Sequence, residues 1–128
     1  WACCSGHTQH VLGEAISDEA WVDEYLMSMR GLLGGAYHRV TEALRAAGIT
    51  FVAAEAGFFV LLDLRSYLGE PTWEAEHALW SRLLDEARVN LTPGAACHVA
   101  EPGFFRLCYA GLPTATVEAG IGRLRALR

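Results

Sequence analysis

Apolar residues recur along the chain with two different periods. Trp21, Val22, Tyr25, Leu26, Met29, Leu32 and Leu33 fall three or four residues apart, the spacing of one helix face. A long helix is therefore predicted over residues 18–47. Ser17 and Asp18 open it, being residue types whose side chains accept from first-turn N–H groups. Gly48 closes it, because glycine adopts the left-handed cap without strain. Gly31, Gly34 and Gly35 each cost about 1 kcal/mol against alanine inside a helix, and mark the place for a kink or a close crossing with another helix. A shorter helix is predicted over residues 5–16, with Val11, Leu12 and Ile16 on its apolar side.

The pattern then changes. Residues 49–53 predict a short strand, and Glu55-Ala56-Gly57 a bend. Residues 58–64 are apolar without alternation until Asp63, as in a strand buried on both faces. A loop over 66–71 leads to a helix over 72–87, predicted to bury Trp73, His77 or Ala78, Trp80, Leu83 and Leu84. A strand over 89–91 closes on Thr92-Pro93-Gly94, a second strand covers 104–110, and a last helix covers 114–127. The order α-α-β-β-α-β-β-α predicts an α+β fold: a small, mostly antiparallel sheet containing 58–64 and 104–110, covered by helices.

Composition narrows the classes of function. The 128 residues have the length of one domain, and 52% hydrophobic against 20% charged residues sustain a packed core. The formal charge is −5 with no run of one sign, which argues against nucleic-acid or membrane-surface binding. The longest apolar stretch, 51–62, is broken by Glu55 and is too short to span a bilayer, and no stretch of this sequence reads as a signal peptide. The chain opens at Trp1, as a piece of something longer would. Cys3, Cys4, Cys97 and Cys108 lack metal spacing and read as reduced thiols of a cytoplasmic protein, although a Cys97–Cys108 disulfide is open in principle. His7 and His10 share a helical face but have no third ligand near them in sequence, so no metal is expected. Cys97 has no neighbouring base to activate it.

One residue stands out chemically. Arg106 lies within Phe104-Phe105-Arg106-Leu107-Cys108-Tyr109, an apolar strand. A guanidinium cannot shed its charge and is rarely buried without an anion. It meets either an internal acid, with Glu55, Asp63 and Glu101 as candidates, or solvent at a sheet edge, or the carboxylate of a ligand held by two parallel hydrogen bonds.

The residues before it narrow the choice. Asn90-Leu91-Thr92-Pro93-Gly94, Cys97-His98 and Glu101-Pro102-Gly103-Phe104-Phe105-Arg106 resemble a segment of the 1-aminocyclopropane-1-carboxylate (ACC) synthase family. Pro-Gly followed about a dozen residues later by an aromatic residue and Arg is shared by the wider class I and II aminotransferases. Ala56-Gly57-Phe58-Phe59, Asp63-Leu64-Arg65, Trp80, Thr8-Gln9 and Ser17-Asp18-Glu19 are similar to further family motifs, in the same order. Ala95 and Ala96 stand where the family carries serines, and Glu55 where it tends to carry Asn.

The resemblance implies a C-terminal small-domain fragment of a fold-type I enzyme dependent on pyridoxal phosphate (PLP), with residues 1–17 ending the large domain. It implies Arg106 as the clamp for the α-carboxylate of an amino-acid substrate such as S-adenosylmethionine. It also implies a homodimer in which the Ser5–Gln9 region approaches the partner's cofactor phosphate. His98 is implied as a structural residue bonding a nearby loop. The chain contains no lysine, so by itself it cannot form a Schiff base with PLP through a side chain, and no catalytic residue is expected within it. Three functions remain open: an ACC-synthase-like lyase, an aminotransferase or γ-substitution enzyme on the same scaffold, and a non-catalytic binding module.

Overall fold

A computed structural model describes residues 4–127. The chain divides into two compact units, Trp1–Gly34 and Gly35–Arg128.

The first unit holds helix α1 (Gly6–Ser17) and the start of α2 (Glu19–Ala46). Ser5 caps α1, its hydroxyl accepting from the Thr8 N–H at 3.2 Å. Asp18 Oδ1 accepts from the Trp21 N–H at 3.1 Å at the start of α2. Trp21 and Tyr25, one turn apart, stack with ring centroids 5.3 Å apart. The apolar side expected of α1 buries nothing among the described residues, and Val11, Leu12 and Ile16 stay exposed. The glycines of α2 interrupt nothing. The helix is continuous through Gly31, Gly34 and Gly35, and apart from the adjoining turns of the helix itself no described atom lies within 4 Å of where their side chains would begin, so the expected close crossing is not found among the described residues.

The second unit is built on a four-stranded antiparallel sheet in the order β1 (Thr50–Val52), β2 (Phe59–Asp63), β4 (Phe104–Cys108), β3 (Thr92–Pro93). Helices α3 (Trp73–Asp85) and α4 (Thr114–Arg125) complete it. The two long strands predicted to share a sheet are neighbours, with Leu61 opposite Arg106 and Leu62 opposite Phe105. Gly48, with φ 70°, ends α2 as its sequence position predicts.

Directly opposed residues of an antiparallel pair share a face. Val60, Leu62, Phe105 and Leu107 make up one face, and all are buried. They form the core with Val40 and Leu44 of α2, Leu79 and Leu83 of α3, and Val117, Ile121 and Leu124 of α4. Each such side chain contributes about 1.5–3 kcal/mol of transfer free energy. The other face carries Phe59, Leu61, Asp63, Phe104, Arg106 and Cys108, none of them buried. Strand β2 thus alternates, where its apolar run suggested burial on both sides.

Two further expectations change. On α3 the buried positions are Glu76, Leu79 and Leu83, while Trp73 is 42% exposed and His77 faces outward. The inward stripe is rotated because a carboxylate, not an aromatic ring, fills its first position. Residues 89–91 are not strand. Their backbone is engaged by α3: the Val89 N–H donates to the Leu83 carbonyl at 2.9 Å, and the Leu91 carbonyl accepts from Trp80 Nε1 at 3.1 Å. Pairing with β4 begins only at Thr92.

Candidate carboxylate-binding site

Arg106 sits at the centre of β4, between Leu61 of β2 and Thr92 of β3. Its guanidinium carbon lies 4.4 Å from the centroid of the Phe59 ring, the diagonal neighbour on the same face. One terminal nitrogen is 3.4 Å from Thr92 Oγ1, a long contact, and Nε is buried with no hydrogen-bond partner. Among the described residues no carboxylate pairs with this arginine.

The acids that competed for it are engaged elsewhere or free. Arg65 takes Asp63 through Nε at 2.9 Å and Nη2 at 2.7 Å, and takes Glu101 through Nη1 at 3.1 Å. The Arg65 guanidinium also lies 4.8 Å above the Phe104 ring. Its side-chain hydrogen bond is the largest influence on Asp63, whose carboxyl is held below the usual carboxylate range against an opposing effect of burial. Glu55 forms no ion pair among the described residues. The cation Arg106 is therefore left with an aromatic floor, one hydroxyl and an unsatisfied buried donor. An unmade bond of that kind costs about 1–3 kcal/mol, which a planar anion presenting two oxygens would recover.

The loop between β3 and β4 is built to bring Arg106 to that face. At Gly94 a Cβ would meet the Phe104 carbonyl oxygen at 2.7 Å, so the two strands can approach here only because the residue is glycine. Gly103 has φ 95° and lies against Arg65, where a Cβ would sit 2.7 Å from its Cγ. Glu76 of α3, 1% exposed, reaches under the loop. Its carboxylate accepts from the Ala95 N–H at 3.0 Å and from the Gly103 N–H at 2.6 Å. Sequence reasoning missed Glu76. The available signal was its spacing of three and seven residues from Leu79 and Leu83, which puts it on their stripe.

A second support lies before β2. Tyr37 Oη accepts from the Ala54 N–H at 3.1 Å, and the Tyr109 hydroxyl donates to the Gly57 carbonyl at 2.5 Å. Burial is the main cause that raises the Tyr109 pKa, with smaller contributions from Tyr37 and Cys108, so it stays a donor at neutral pH.

The other candidates take no part in the hydrogen bond of Arg106. The His98 ring is exposed and bonds no loop among the described residues, contrary to expectation; its backbone takes the left-handed turn at φ 55° after Cys97. Cys4, Cys97 and Cys108 are free thiols, and Cys3 lies outside the described residues. The Thr8 hydroxyl contacts that of Ser5 at 2.9 Å, and Gln9 Nε2 donates to the Cys4 carbonyl at 2.8 Å, so both side chains serve the helix start. No group of three or more metal-ligating side chains occurs among the described residues, and no described helix is long and apolar enough to cross a membrane.

The family model described as aminotransferase class I and II matches residues 1–124. The chain belongs to the class I and II aminotransferases. Within that family it is similar to 1-aminocyclopropane-1-carboxylate synthase 2 of Cucurbita pepo, 39% identical over 95% of this chain and 25% of that protein. It is also similar to 1-aminocyclopropane-1-carboxylate synthase 11 of Arabidopsis thaliana, 38% identical over 94% of this chain and 26% of the relative. The resemblance read from the Cys97-His98 and Glu101-Pro102-Gly103 motifs is thereby borne out. The chain spans about a quarter of the length of these relatives. The aromatic aminotransferase of Pyrococcus horikoshii matches in structure with a TM-score of 0.74 at 24% identity, over 88% of this chain and 28% of that one, a likeness of fold. The α+β arrangement expected from the residue pattern is thus an aminotransferase fold.

Proposed function

We propose that this chain is the small-domain part of a PLP-dependent, ACC-synthase-like enzyme, and that Arg106 binds the α-carboxylate of its amino-acid substrate, S-adenosylmethionine being the first candidate. The observation that carries this is the half-buried Arg106 itself, with Nε unsatisfied while both nearby acids are drawn off by Arg65. A substrate carboxylate supplies the missing acceptors and gains orientation from the planar fork. The Phe59 ring covers one side of the guanidinium and keeps water from it there, which strengthens the pairing.

PLP, when bound, acts as an electron sink for the substrate's α-carbon. No residue of this chain fits its covalent attachment, since the sequence contains no lysine. The attaching lysine and the phosphate contacts are assigned to a large domain in the full protein, residues 1–17 to the end of that domain, and the assembly to a cytoplasmic homodimer. Ala95 and Ala96, both exposed, favour a second reading. Two hydroxyl donors of the ACC synthase motif are missing from the loop that leads to Arg106, which leaves room for an aminotransferase or γ-substitution enzyme. A non-catalytic binding module is the third. Turnover of the full-length protein with S-adenosylmethionine, against a panel of other amino acids, separates the three. ACC release supports the first, keto-acid formation or sulfur exchange the second, and no turnover on any of them the third.

A further inference from the structure

We propose that Glu76 is the positioning residue of the carboxylate clamp. The inference rests on the assignment of Arg106 as that clamp and extends it to a residue that touches no substrate. Glu76 is 1% exposed and has no cationic partner among the described residues. A buried carboxylate without a cation is tolerated only where strong hydrogen bonds replace its water. Here those bonds are two backbone N–H groups, Ala95 at 3.0 Å and Gly103 at 2.6 Å. They stand at the two ends of the excursion that joins β3 to β4. Strand β3 needs such help. It pairs through only two positions, Thr92 with Arg106 and Pro93 with Phe105, and proline has no N–H to give to a ladder. Gly103 lies three residues before Arg106, so the carboxylate that holds Gly103 sets where β4 begins and how its guanidinium meets the open face. Glu101, at the same loop, is exposed and among the described residues is tied only to Arg65, so it offers no substitute for the buried bonds.

The test uses full-length protein and two probes, S-adenosylmethionine and its decarboxylated analogue, which lacks the α-carboxylate. Wild-type protein is expected to bind the first more tightly. Glu76→Gln keeps the size but turns an amide N–H₂ toward one of the backbone donors. It is expected to weaken S-adenosylmethionine binding by about 10- to 100-fold, the scale set by a misplaced binding group, while leaving the analogue unchanged. Combining it with Arg106→Lys is expected to add little. Equal weakening of both probes, or of neither, would reduce Glu76 to a purely structural role and overturn the proposal. If Glu76→Gln does not fold, Glu76→Asp decides by the same two probes, since it keeps the charge and shortens the reach. If Arg106→Lys leaves the preference between the probes intact, the clamp assignment fails and Glu76 fails with it. If Arg106→Lys abolishes the preference and the Glu76 variants retain it, only the positioning role is lost.

Discussion

Arg65 and Arg106 belong to neighbouring parts of one sheet face and meet opposite fates. Arg65 follows β2 and gathers two carboxylates, Asp63 and Glu101, with its guanidinium over Phe104. Arg106, within β4, also has an aromatic ring beneath it, Phe59, but no carboxylate. The difference lies in reach. Arg65 has Asp63 two residues away and the loop before β4 beside it, whereas the residues directly opposite Arg106 are Leu61 and Thr92. An exposed, saturated arginine serves a loop. A half-buried arginine with an orphan donor is what the proposed carboxylate clamp requires. The saturation of Arg65 also protects Arg106, because it engages Asp63 and Glu101, two acids that could compete for its charge.

The sharpest test of this contrast is Arg106→Lys in the full-length protein. It keeps the charge and loses the fork, and kcat/KM is expected to fall by about 2–5 kcal/mol, roughly 30- to 5,000-fold. PLP content, read from the cofactor's absorbance, should not change. Loss of PLP with substrate affinity retained would contradict the clamp.

A change that makes Arg106 resemble Arg65 comes next. Leu61→Asp places a carboxylate directly opposite Arg106 in the adjacent strand. Substrate binding by titration should weaken by at least about tenfold, on the order of 1.4 kcal/mol, and a second change, Arg106→Leu, should cost less than it does in the wild-type background. Full additivity of the two would show that Arg106 does not hold the substrate.

Phe59→Leu is expected to have a smaller effect. It removes the aromatic floor at a partly exposed position, where such a contact is worth about 0.5–1 kcal/mol. Substrate affinity should drop by about two- to fivefold, with the unfolding midpoint nearly unmoved.

The smallest effect belongs to Arg65's own pair. The Asp63 carboxyl titrates below its ordinary value because of Arg65. Its contribution to stability is therefore present above the unfolded-state pKa, about 3.9, and is lost as pH falls through that value toward the lower folded one. Asp63→Asn should lower the urea midpoint slightly at pH 7 and have no effect once both forms are titrated in acid. Screening at this half-exposed site keeps the difference small. A midpoint difference that grows on acidification would reverse the sign and break the assignment.

Much of this protein was legible from residue order alone. Periodicity placed the helices and the two long strands, since the spacing of apolar residues reports which faces must leave water. Gly48 announced the end of α2 because few residues accept a positive φ. Arg106 was recognisable because a permanent cation in an apolar strand needs an anion from somewhere. Tertiary structure alone decided where that anion was not. Arg65 and Glu101 are 36 residues apart, and Glu76 and Gly103 are 27 apart. Which acid reaches which donor depends on how α3 and the loop before β4 fold back onto the sheet, and local spacing carries no record of that return. Helix phase failed at Glu76 for the same reason. A carboxylate in an apolar stripe is assigned outward by its chemistry, until two backbone N–H groups from a distant loop give it reason to turn in.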